Sequence, residues 1–423
     1  MKSTLTCSSL VISLLALAVL HGCAPLYDEV VPTIRPEPVY DQLYPYYVEI
    51  CAVSQIRAKF AEHGGSPGHA VMYLKGVCRD PDAKFPTIKI CEAGSVDLDD
   101  PENGVGISVN KVFKNVNWMA ISGKRLFFFG NLDAGMVLDE THGLATIQAA
   151  DDLGIFDGIQ IHETYKPPQD DEQAQIFLAA TETLGTDFAL NFGRTIFCAR
   201  LPVSVRMLEQ IVAYLNDLNQ EYALGNADYN WSGYHDNCSH TLHNSLAAAG
   251  VWPYQSVRKT KFLQLFNLSV PANEFANLAF LSNAYPIEDF DRIYREKIKR
   301  ETLLEKDWLP TRHGALLKLI GVHQNNELYD TRLRIFVLEP PLLKPKSRRV
   351  TNMFGEDRYT QIKANLLYYK QRYEAILKKR PKDWDQQESW WSSYMKTRKK
   401  YYEYIEDQLR DVNEKLARLA SIR

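Results

Sequence analysis

The sequence predicts an α+β protein whose chain begins with an export signal and ends in helices. Short apolar runs typical of β-strands are concentrated in the first half of the chain. Long patterns with apolar residues at helical spacing occupy residues 341–423. The composition is that of an ordinary soluble globular protein, and the formal net charge of −3 excludes no class of function.

Residues 1–22 have the layout of a secretory signal peptide. Lys2 gives a positive start, and an apolar run over residues 10–20 follows that is too short to span a bilayer. The ending "VLHGC" resembles a bacterial lipobox with Cys23 as the lipidated residue, although His21 stands where a small or hydroxyl residue is usual. The alternative is an ordinary signal peptide cut nearby. We expect an exported, periplasmic protein anchored by lipid, with Ala24 favouring the outer membrane.

Three segments follow the signal, because a mature chain of about 400 residues usually forms two or more folding units. Residues 23–47 contain proline and tyrosine without any period, which predicts an extended tether. Residues 48–340 mix strand-like and helical runs and are predicted to form the α+β domain. Residues 341–423 are predicted to form a helical hairpin.

The strands and the first long helix of the α+β domain are predicted from local pattern. Strand candidates are "HAVMYLKGV", "TIKICEA", "GVGISVN", "NWMAISG", "KRLFFFG" and "RTIFCARLPV". A helix is predicted for "SVRMLEQIVAYLNDLNQEYAL", in which Met207, Ile211, Leu215 and Leu218 recur at helical spacing.

The C-terminal hairpin is predicted from two long helical patterns, Glu356–Lys379 and Gln386–Ser421, separated by "RPKDWD". Its aromatic residues are predicted to form the packing face: Trp390, Trp391, Tyr394, Tyr401, Tyr402 and Tyr404. Residues 341–423 carry 20 Lys or Arg and 11 Asp or Glu. This excess predicts a solvated basic face, with contact to an anionic membrane surface as the alternative.

Export makes the number of cysteines informative. Of the seven cysteines, Cys7 leaves with the signal and Cys23 takes the lipid. The other five are Cys51, Cys78, Cys91, Cys198 and Cys238. Four of them can form two disulfides in an oxidising compartment, which leaves one free thiol. The neighbours of Cys238 favour it as the free thiol, and the alternative is a bridged or merely buried Cys238.

The stretch "YNWSGYHDNCSHTLHNSLAAAGVW" places Cys238 at the start of a helix. Asn237 is a good N-cap residue, and Gly250 is predicted to end the helix. Cys238 lies four residues before Leu242 on the apolar stripe, so its thiol is predicted to face the protein body. A helix N-terminus favours a thiolate, and the N–H groups near Asn237 and Ser239 can hold an oxyanion.

The same geometry argues against a metal site. His240 lies about 200° and His243 about 140° around the helix from Cys238, so both are predicted to point away from the thiol. His235 lies in the preceding loop and is a poorly fixed base. The spacing H-x2-C-x-H-x2-H matches no known zinc pattern. We therefore predict no metal and no cofactor.

A base from elsewhere in the chain fits better. "GGSPGHAVMYLKGV" places His69 at the start of an apolar strand, and a strand histidine opposite a helix-tip cysteine forms a thiol–imidazole pair. The third member that would orient His69 is not identified by the pattern. Its candidates are Asn110, Asn117 and His162.

The order of these pieces resembles the permuted papain-like thiol enzymes, which include the lecithin–retinol acyltransferase-like proteins and permuted cell-wall peptidases. In them an H-x-x-x-Y strand comes early and an N-C-x-x helix late, as in "GHAVMYLKG" and "DNCSHTLHNSLAAAG" here. The run ending in "YNWSGYHDNCSHTLHNSL" is also similar to the N-terminal periplasmic domain of Bacteroides-type lipoprotein N-acyltransferases. Asn237, Cys238 and Ser239 match the core of that motif, whereas its later Arg and Asp are replaced near His243 and Asn244.

The resemblance covers about residues 48–255 and implies an antiparallel sheet with a packed nucleophile helix. It implies a thiol-dependent acyl-transfer enzyme with Cys238 as nucleophile and His69 as base. Its substrate would be an ester or amide of envelope lipid, lipoprotein or peptidoglycan, and the enzyme would be a hydrolase or an acyltransferase. The alternative is a non-catalytic envelope lipoprotein that uses the same core as a binding scaffold. The membrane is the expected partner, through the N-terminal lipid, and no nucleic acid is expected.

Overall fold

The computed structural model describes residues 23–27, 38–54, 69–92, 94–133, 135–137, 139–165, 195–257, 270–320, 333–337, 346–382, 384 and 393–422. The predicted signal peptide lies outside these residues, as does the middle of the predicted tether, residues 28–37. Among the helices of the described part, none combines the length and apolar character needed to cross a membrane.

The fold is built on an antiparallel sheet. Its strands, with two smaller pairs, are β1 (Cys23–Tyr27), β2 (Tyr47–Ser54), β3 (His69–Lys75), β4 (Val77–Arg79), β5 (Ile88–Ile90), β6 (Gly106–Ser108), β7 (Met119–Ile121), β8 (Thr195–Pro202), β9 (Leu316–Ile320) and β10 (Leu333–Phe336). Six of them form the main sheet in the order β7-β6-β3-β2-β8-β9, while β1 pairs with β10 and β4 with β5. This confirms the predicted α+β class with an antiparallel sheet.

The helices alternate with the strands along the chain, and the last elements of the described part are helices. They are α1 (Pro38–Leu43), α2 (Lys124–Phe129), α3 (Glu140–Asp152), α4 (Val205–Ala223), α5 (Cys238–Ala248), α6 (Pro271–Ala284), α7 (Phe290–Arg295), α8 (Lys297–Lys306), α9 (Lys346–Phe354), α10 (Asp357–Thr360), α11 (Ile362–Lys378) and α12 (Ser393–Ser421). Helices α4 and α5 begin and end close to the predicted bounds, because Ser204 and Asn237 cap their N-termini.

Helices cover both faces of the main sheet. On one face, α5 contacts Met72 of β3, and the ring of Phe275 in α6 lies 5.9 Å from that of Phe197 in β8. On the other face, Phe128 of α2 packs against Tyr73 of β3 at 5.6 Å. Every residue of β3 is buried, as expected for a strand in the middle of a covered sheet.

A buried charge cluster lies on the α2 face of the sheet. Glu49 of β2 is 2.8 Å from Nζ of Lys124 and 2.9 Å from the guanidinium of Arg200, and all three side chains are buried. Burial alone would raise the pKa of the Glu49 carboxyl, but Arg200 and Lys124 hold it well below its usual value. The guanidinium of Arg200 also stacks on the rings of Tyr40 and Tyr47 at 4.3 and 4.6 Å.

The predicted strand "KRLFFFG" is wrong, since these residues form helix α2. Lys124, Phe127 and Phe128 recur at i, i+3 and i+4, and all three are buried on one side of the helix. Gly130 adopts φ 54°, and its N–H bonds to the carbonyl of Leu126, which is a common way for a helix to end. The three consecutive phenylalanines hid this helical period.

Residues 38–47, predicted as part of the tether, differ from that expectation. Pro38–Leu43 forms α1, and Tyr47 already belongs to β2. Tyr40 and Tyr44 are buried, and the hydroxyl of Tyr40 donates to the carbonyl of Gly314 at 2.6 Å. The buried tyrosines therefore fix this segment to the core. The sequence did not predict this, because the segment has no helical or strand periodicity.

The C-terminal helices α11 and α12 pack on the α+β core as well as on each other. Asn365 of α11 accepts from the N–H of Gly314 at 2.7 Å, and the hydroxyl of Tyr401 in α12 donates to the carbonyl of Ile287 at 2.6 Å. Tyr401, Tyr402 and Tyr404 are buried, as predicted for the packing face. Trp390 and Trp391 lie outside the described residues.

Two disulfides join neighbouring strands. Cys51 of β2 is bonded to Cys198 in the paired strand β8, and Cys78 of β4 is bonded to Cys91 just after β5. The first bridge spans 147 residues, for which the chain-entropy model gives a stabilisation of about 5 kcal/mol.

Candidate functional site

Cys238 is the free cysteine among the described side chains. It is the first residue of α5 and 6% exposed, so the thiol faces the protein body as predicted. The other four cysteines of the folded part form the two disulfides, which confirms the expected odd thiol. Tyr229 lies nearby: burial raises the pKa of its hydroxyl, and the neighbouring Asp236 raises it further.

Asn237 fixes the start of α5. Its Oδ1 accepts hydrogen bonds from the N–H groups of Ser239 at 2.9 Å and His240 at 3.3 Å. Its Nδ2 donates to the carbonyl of Gly233 at 2.8 Å, which ties the preceding loop to the helix. The Ser239 amide, predicted to help hold an oxyanion, is therefore already bonded. The amide of Cys238 itself has no acceptor among the described residues, so it is the open donor at this helix end.

His69 is held by a residue that the sequence pattern did not identify. Its Nε2 lies 2.7 Å from Oγ of Ser108, and both side chains are buried. Ser108 is on β6, the strand next to β3 in the sheet. In a thiol–imidazole–polar triad, the third residue binds one ring nitrogen while the other faces the thiol. Ser108 binds one ring nitrogen of His69 as such a third residue would, and only knowledge of the strand order could have identified it.

The candidate base and nucleophile lie at the same end of the sheet. One turn into α5, Thr241 donates from Oγ1 to Oδ1 of Asn117 at 2.7 Å. The pairing registers of β3 with β6 and of β6 with β7 can be extended by a few residues beyond the last paired residues. They then place Asn110 opposite His69 and Asn117 opposite Asn110. The start of α5 is therefore close to the sheet end at which β3 begins.

The two side chains are nevertheless not joined by a hydrogen bond. Oγ of Ser245 contacts Sδ of Met72 at 3.8 Å, so α5 covers the face of β3 that carries Met72. Side chains alternate along a strand, which directs His69 toward the opposite face. Within the described residues no hydrogen bond links the Cys238 sulfur to the His69 ring. The pair shares one region of the fold without forming the catalytic contact.

The three predicted third members bond elsewhere. Asn117 accepts from Thr241, as described above. Oδ1 of Asn110 accepts from the N–H of Val112 at 3.3 Å, and Nε2 of His162 donates to the carbonyl of Tyr229 at 2.7 Å. Asn117 and His162 thus hold residues near the start of α5. Asn117 bonds to Thr241 and His162 to Tyr229, and both of these residues lie close to Cys238.

His240 is buried beside the cap with one ring nitrogen unpartnered. Its Nδ1 lies 3.1 Å from Oδ1 of Asn237, whereas its buried Nε2 has no partner among the described residues. Burial lowers the pKa of His240 to about 4, and the charges of His243 and His235 act in the same direction. The ring is therefore neutral near neutral pH. Because an amide oxygen only accepts, Nδ1 carries the proton and Nε2 presents a lone pair.

His243 is fully engaged on the side of α5 that faces α6. Its Nδ1 lies 2.8 Å from Oε1 of Glu274, its Nε2 lies 3.0 Å from the carbonyl of Pro253, and its ring stacks on Trp252 at 4.4 Å. Neither nitrogen is available to a metal. In the described part, the one tight group of metal-binding residue types is Glu49, Cys51 and Cys198, whose cysteines form a disulfide.

The chemistry available here is that of a buried thiol with an open backbone donor at a capped helix start. A histidine held by a serine lies at the same sheet end, and a second, neutral histidine stands beside the cap. No family model matches the chain, and neither a curated protein nor a solved structure matches it.

Proposed function

We propose that the protein is an exported, thiol-dependent acyl-transfer enzyme with Cys238 as its nucleophile. The observation that carries this proposal is the state of Cys238: it alone among the described cysteines is unbridged, and it stands at a capped helix start with its own amide open. A thiol placed in this way can attack a carbonyl carbon and direct the resulting oxyanion to a backbone donor.

The proposed reaction proceeds in two steps. The Cys238 thiolate attacks the carbonyl carbon of an ester or amide, and the Cys238 amide holds the oxyanion. The intermediate collapses to a thioester, while the leaving alcohol or amine takes a proton from the His69 ring. In the second step His69 accepts a proton from water, an amine or a hydroxyl, which attacks the thioester and releases the thiolate. Ser108 holds the His69 ring during both transfers.

The proposal requires His69 and Cys238 to approach when substrate binds. Catalytic hydrogen bonds are often long or poorly aligned before a substrate is bound. Because α5 covers the face of β3 opposite to the one that carries His69, the approach also requires the first residue of β3 and the start of α5 to rearrange at the sheet end that they share. A permuted papain-like arrangement is part of the proposal, supported by a histidine strand early in the chain, a cysteine helix late, and an antiparallel sheet that both contact. The proposed substrates are acyl groups of envelope lipid, lipoprotein or peptidoglycan, reached by a chain anchored at Cys23.

The test is turnover of a chromogenic acyl ester and an N-acyl peptide by four variants of the purified protein. We expect Cys238→Ala to abolish turnover and His69→Ala to lower kcat/KM by about 100-fold or more. His142→Gln is the matched histidine control, because its ring bonds to the carbonyl of Gly130 in another part of the fold. Cys238→Ser separates loss of the thiol from loss of volume. Full turnover by Cys238→Ala would refute the proposal.

A second candidate function is a non-catalytic binding scaffold of the envelope. It is favoured by one observation: the His69 ring bonds to Ser108 and not to the thiol, which is itself almost completely buried. Under this reading, Cys238→Ala and His69→Ala leave partner binding unchanged and no acyl substrate is turned over by the native protein. The turnover assay therefore separates the two functions directly.

A further inference from the structure

We infer that the turn end of the α11–α12 hairpin is a second contact with the membrane and binds anionic lipid headgroups. We call this region the basic tip and define it as residues 378–382, 384 and 393–400. The basic tip comprises the end of α11 and the start of α12, which lie close together because the two helices are antiparallel. Three contacts show this direction. Arg380, just after α11, pairs with Glu406 of α12, whereas Tyr373, earlier in α11, and Asp411, later in α12, both contact His313.

The basic tip concentrates positive charge. It carries Lys378, Lys379, Arg380, Lys382, Lys396, Arg398, Lys399 and Lys400, and its residues include no Asp or Glu. Arg380 is paired with Glu406 and Lys400 with Asp307. The other six make no ion pair among the described residues, and five of them, the lysines, are exposed. The intervening sequence adds Asp383, Asp385 and Glu388, so a clear excess of positive charge persists.

Most of the positive charges of the basic tip are not neutralised by ion pairs among the described residues. Elsewhere on the same helices the charged side chains pair locally, as in Lys370 with Glu374 and Lys415 with Asp411. The N-terminal end of α12 adds the partial positive charge of a helix start to the same place. A patch of this kind attracts polyanions by Coulomb forces. At physiological ionic strength, salt screens these forces only in part at distances within about 8 Å.

Among polyanions, the tip fits a lipid surface best because tryptophan accompanies the lysines. Trp384 packs on the ring of Tyr402 at 5.8 Å and under the guanidinium of Arg380 at 4.4 Å. The sequence between the two helices adds Trp390 and Trp391. Tryptophan favours the boundary between headgroups and acyl chains, and basic residues favour anionic headgroups. An acidic protein or a nucleic acid would need no tryptophan beside these lysines.

The test is vesicle flotation of the full chain carrying Cys23→Ser, so that no attached lipid contributes to binding. We expect binding to vesicles that contain phosphatidylglycerol, no binding to pure phosphatidylcholine vesicles, and loss of binding at high ionic strength. The triple variant Lys378→Gln, Lys379→Gln, Lys382→Gln should bind about 100-fold more weakly, since each basic residue near an anionic surface contributes roughly fivefold.

The matched control is Lys84→Gln, Lys89→Gln, Lys363→Gln, which removes the same charge from exposed lysines away from the tip. Lys363 is at the other end of α11, about 20 Å from Lys378. Equal losses in both triple variants would overturn the inference, because only net charge would then matter. Equal binding to neutral vesicles would overturn it too, as would capture by soluble heparin without capture by vesicles. None of these outcomes depends on turnover at Cys238.

Discussion

The charge cluster around Glu49 and the start of α5 both bury polar groups, but they satisfy them differently. In the cluster, Glu49 is paired with Lys124 and Arg200, and Arg200 is also covered by two tyrosine rings. At the start of α5, the Cys238 thiol is unbridged, and Nε2 of His240 and Oγ of Ser239 are buried without partners among the described residues.

This difference separates a region with a structural role from the region in which we propose the reaction. A buried polar atom without a partner costs roughly 1–3 kcal/mol, so folded proteins rarely keep such atoms without a use. The cluster holds α2 and two strands together, and its three charged side chains have no buried polar atom without a partner among the described residues. The α5 region has such atoms, and the proposed reaction takes place beside them at Cys238. Four changes test this difference, beginning with the variant that should destabilise the fold most.

Breaking the charge cluster should have the largest effect on folding. Arg200→Met removes a cation from buried Glu49 and the stack on Tyr40 and Tyr47. We expect the free energy of unfolding in urea to fall by about 3–5 kcal/mol, because the buried carboxylate keeps only one of its two cationic partners, Lys124. The activity per folded molecule should be unchanged. A loss below about 1 kcal/mol would mean that the cluster behaves like a surface pair.

Acid should destabilise the fold through buried neutral histidines. His313 is completely buried, with Nδ1 accepting from the hydroxyl of Tyr44 at 2.7 Å and Nε2 lying 3.1 Å from a carboxylate oxygen of Asp411. Burial lowers the pKa of His313 to about 4, against 6.5 when unfolded. The unfolded chain therefore binds the proton first, so stability is complete above pH 6.5 and is lost as the pH falls toward 4.

The expected loss from His313 alone is about 3 kcal/mol, measured by urea unfolding across this pH range. His240 at the thiol site acts in the same direction, because its pKa is also lowered to about 4. His313→Gln should flatten most of the acid dependence and His240→Gln part of it. An acid dependence unchanged by both variants would show that neither buried ring is responsible.

Removing the cap of α5 should have an intermediate effect. Asn237→Ala leaves the N–H groups of Ser239 and His240 without their acceptor and frees the preceding loop from Gly233. We expect a loss of about 1–2 kcal/mol in stability and a larger proportional loss of turnover, since the thiol loses its fixed position. Asn237→Asp, which keeps the cap, is the control. If both variants retained full turnover, the cap would be structural only.

Ser108→Ala should have the smallest effect on folding, about 1 kcal/mol, because it leaves a single ring nitrogen of His69 without its partner. If Ser108 positions the His69 ring, kcat should fall about 10-fold and the basic limb of the pH–rate profile should shift. Ser108→Thr, which keeps the hydroxyl, should restore part of the rate. Unaltered kcat and pH profile in Ser108→Ala would remove Ser108 from the proposed mechanism.

The parts of the fold that follow local rules were predictable from sequence. Asn237 as cap, the end of α5 near Gly250 and the spacing of Met207, Ile211 and Leu215 in α4 all depend on neighbours within a few residues. One free thiol also followed, because five cysteines that form two disulfides leave one over, and the neighbours of Cys238 favoured it. The antiparallel sheet was predicted in class, since most of its strands are short apolar runs.

The other features of the fold and of the candidate site depend on contacts between residues far apart in the sequence, which local patterns do not predict. Ser108 becomes a partner of His69 only through the adjacency of β3 and β6. Glu49, Lys124 and Arg200 meet although at least 75 residues separate Glu49 from either cation. Helix α2 was misread because three consecutive phenylalanines satisfy both a strand and a helix pattern until the partner surface is known.

The most direct test of the central claim is the mass of the protein after brief reaction with an acyl ester and an acid quench. The account predicts one added acyl group per chain, mapped to the peptide that contains Cys238, released by neutral hydroxylamine and absent in Cys238→Ala. An acyl group found instead on Ser108, or no adduct in a protein that turns over the ester, would contradict it.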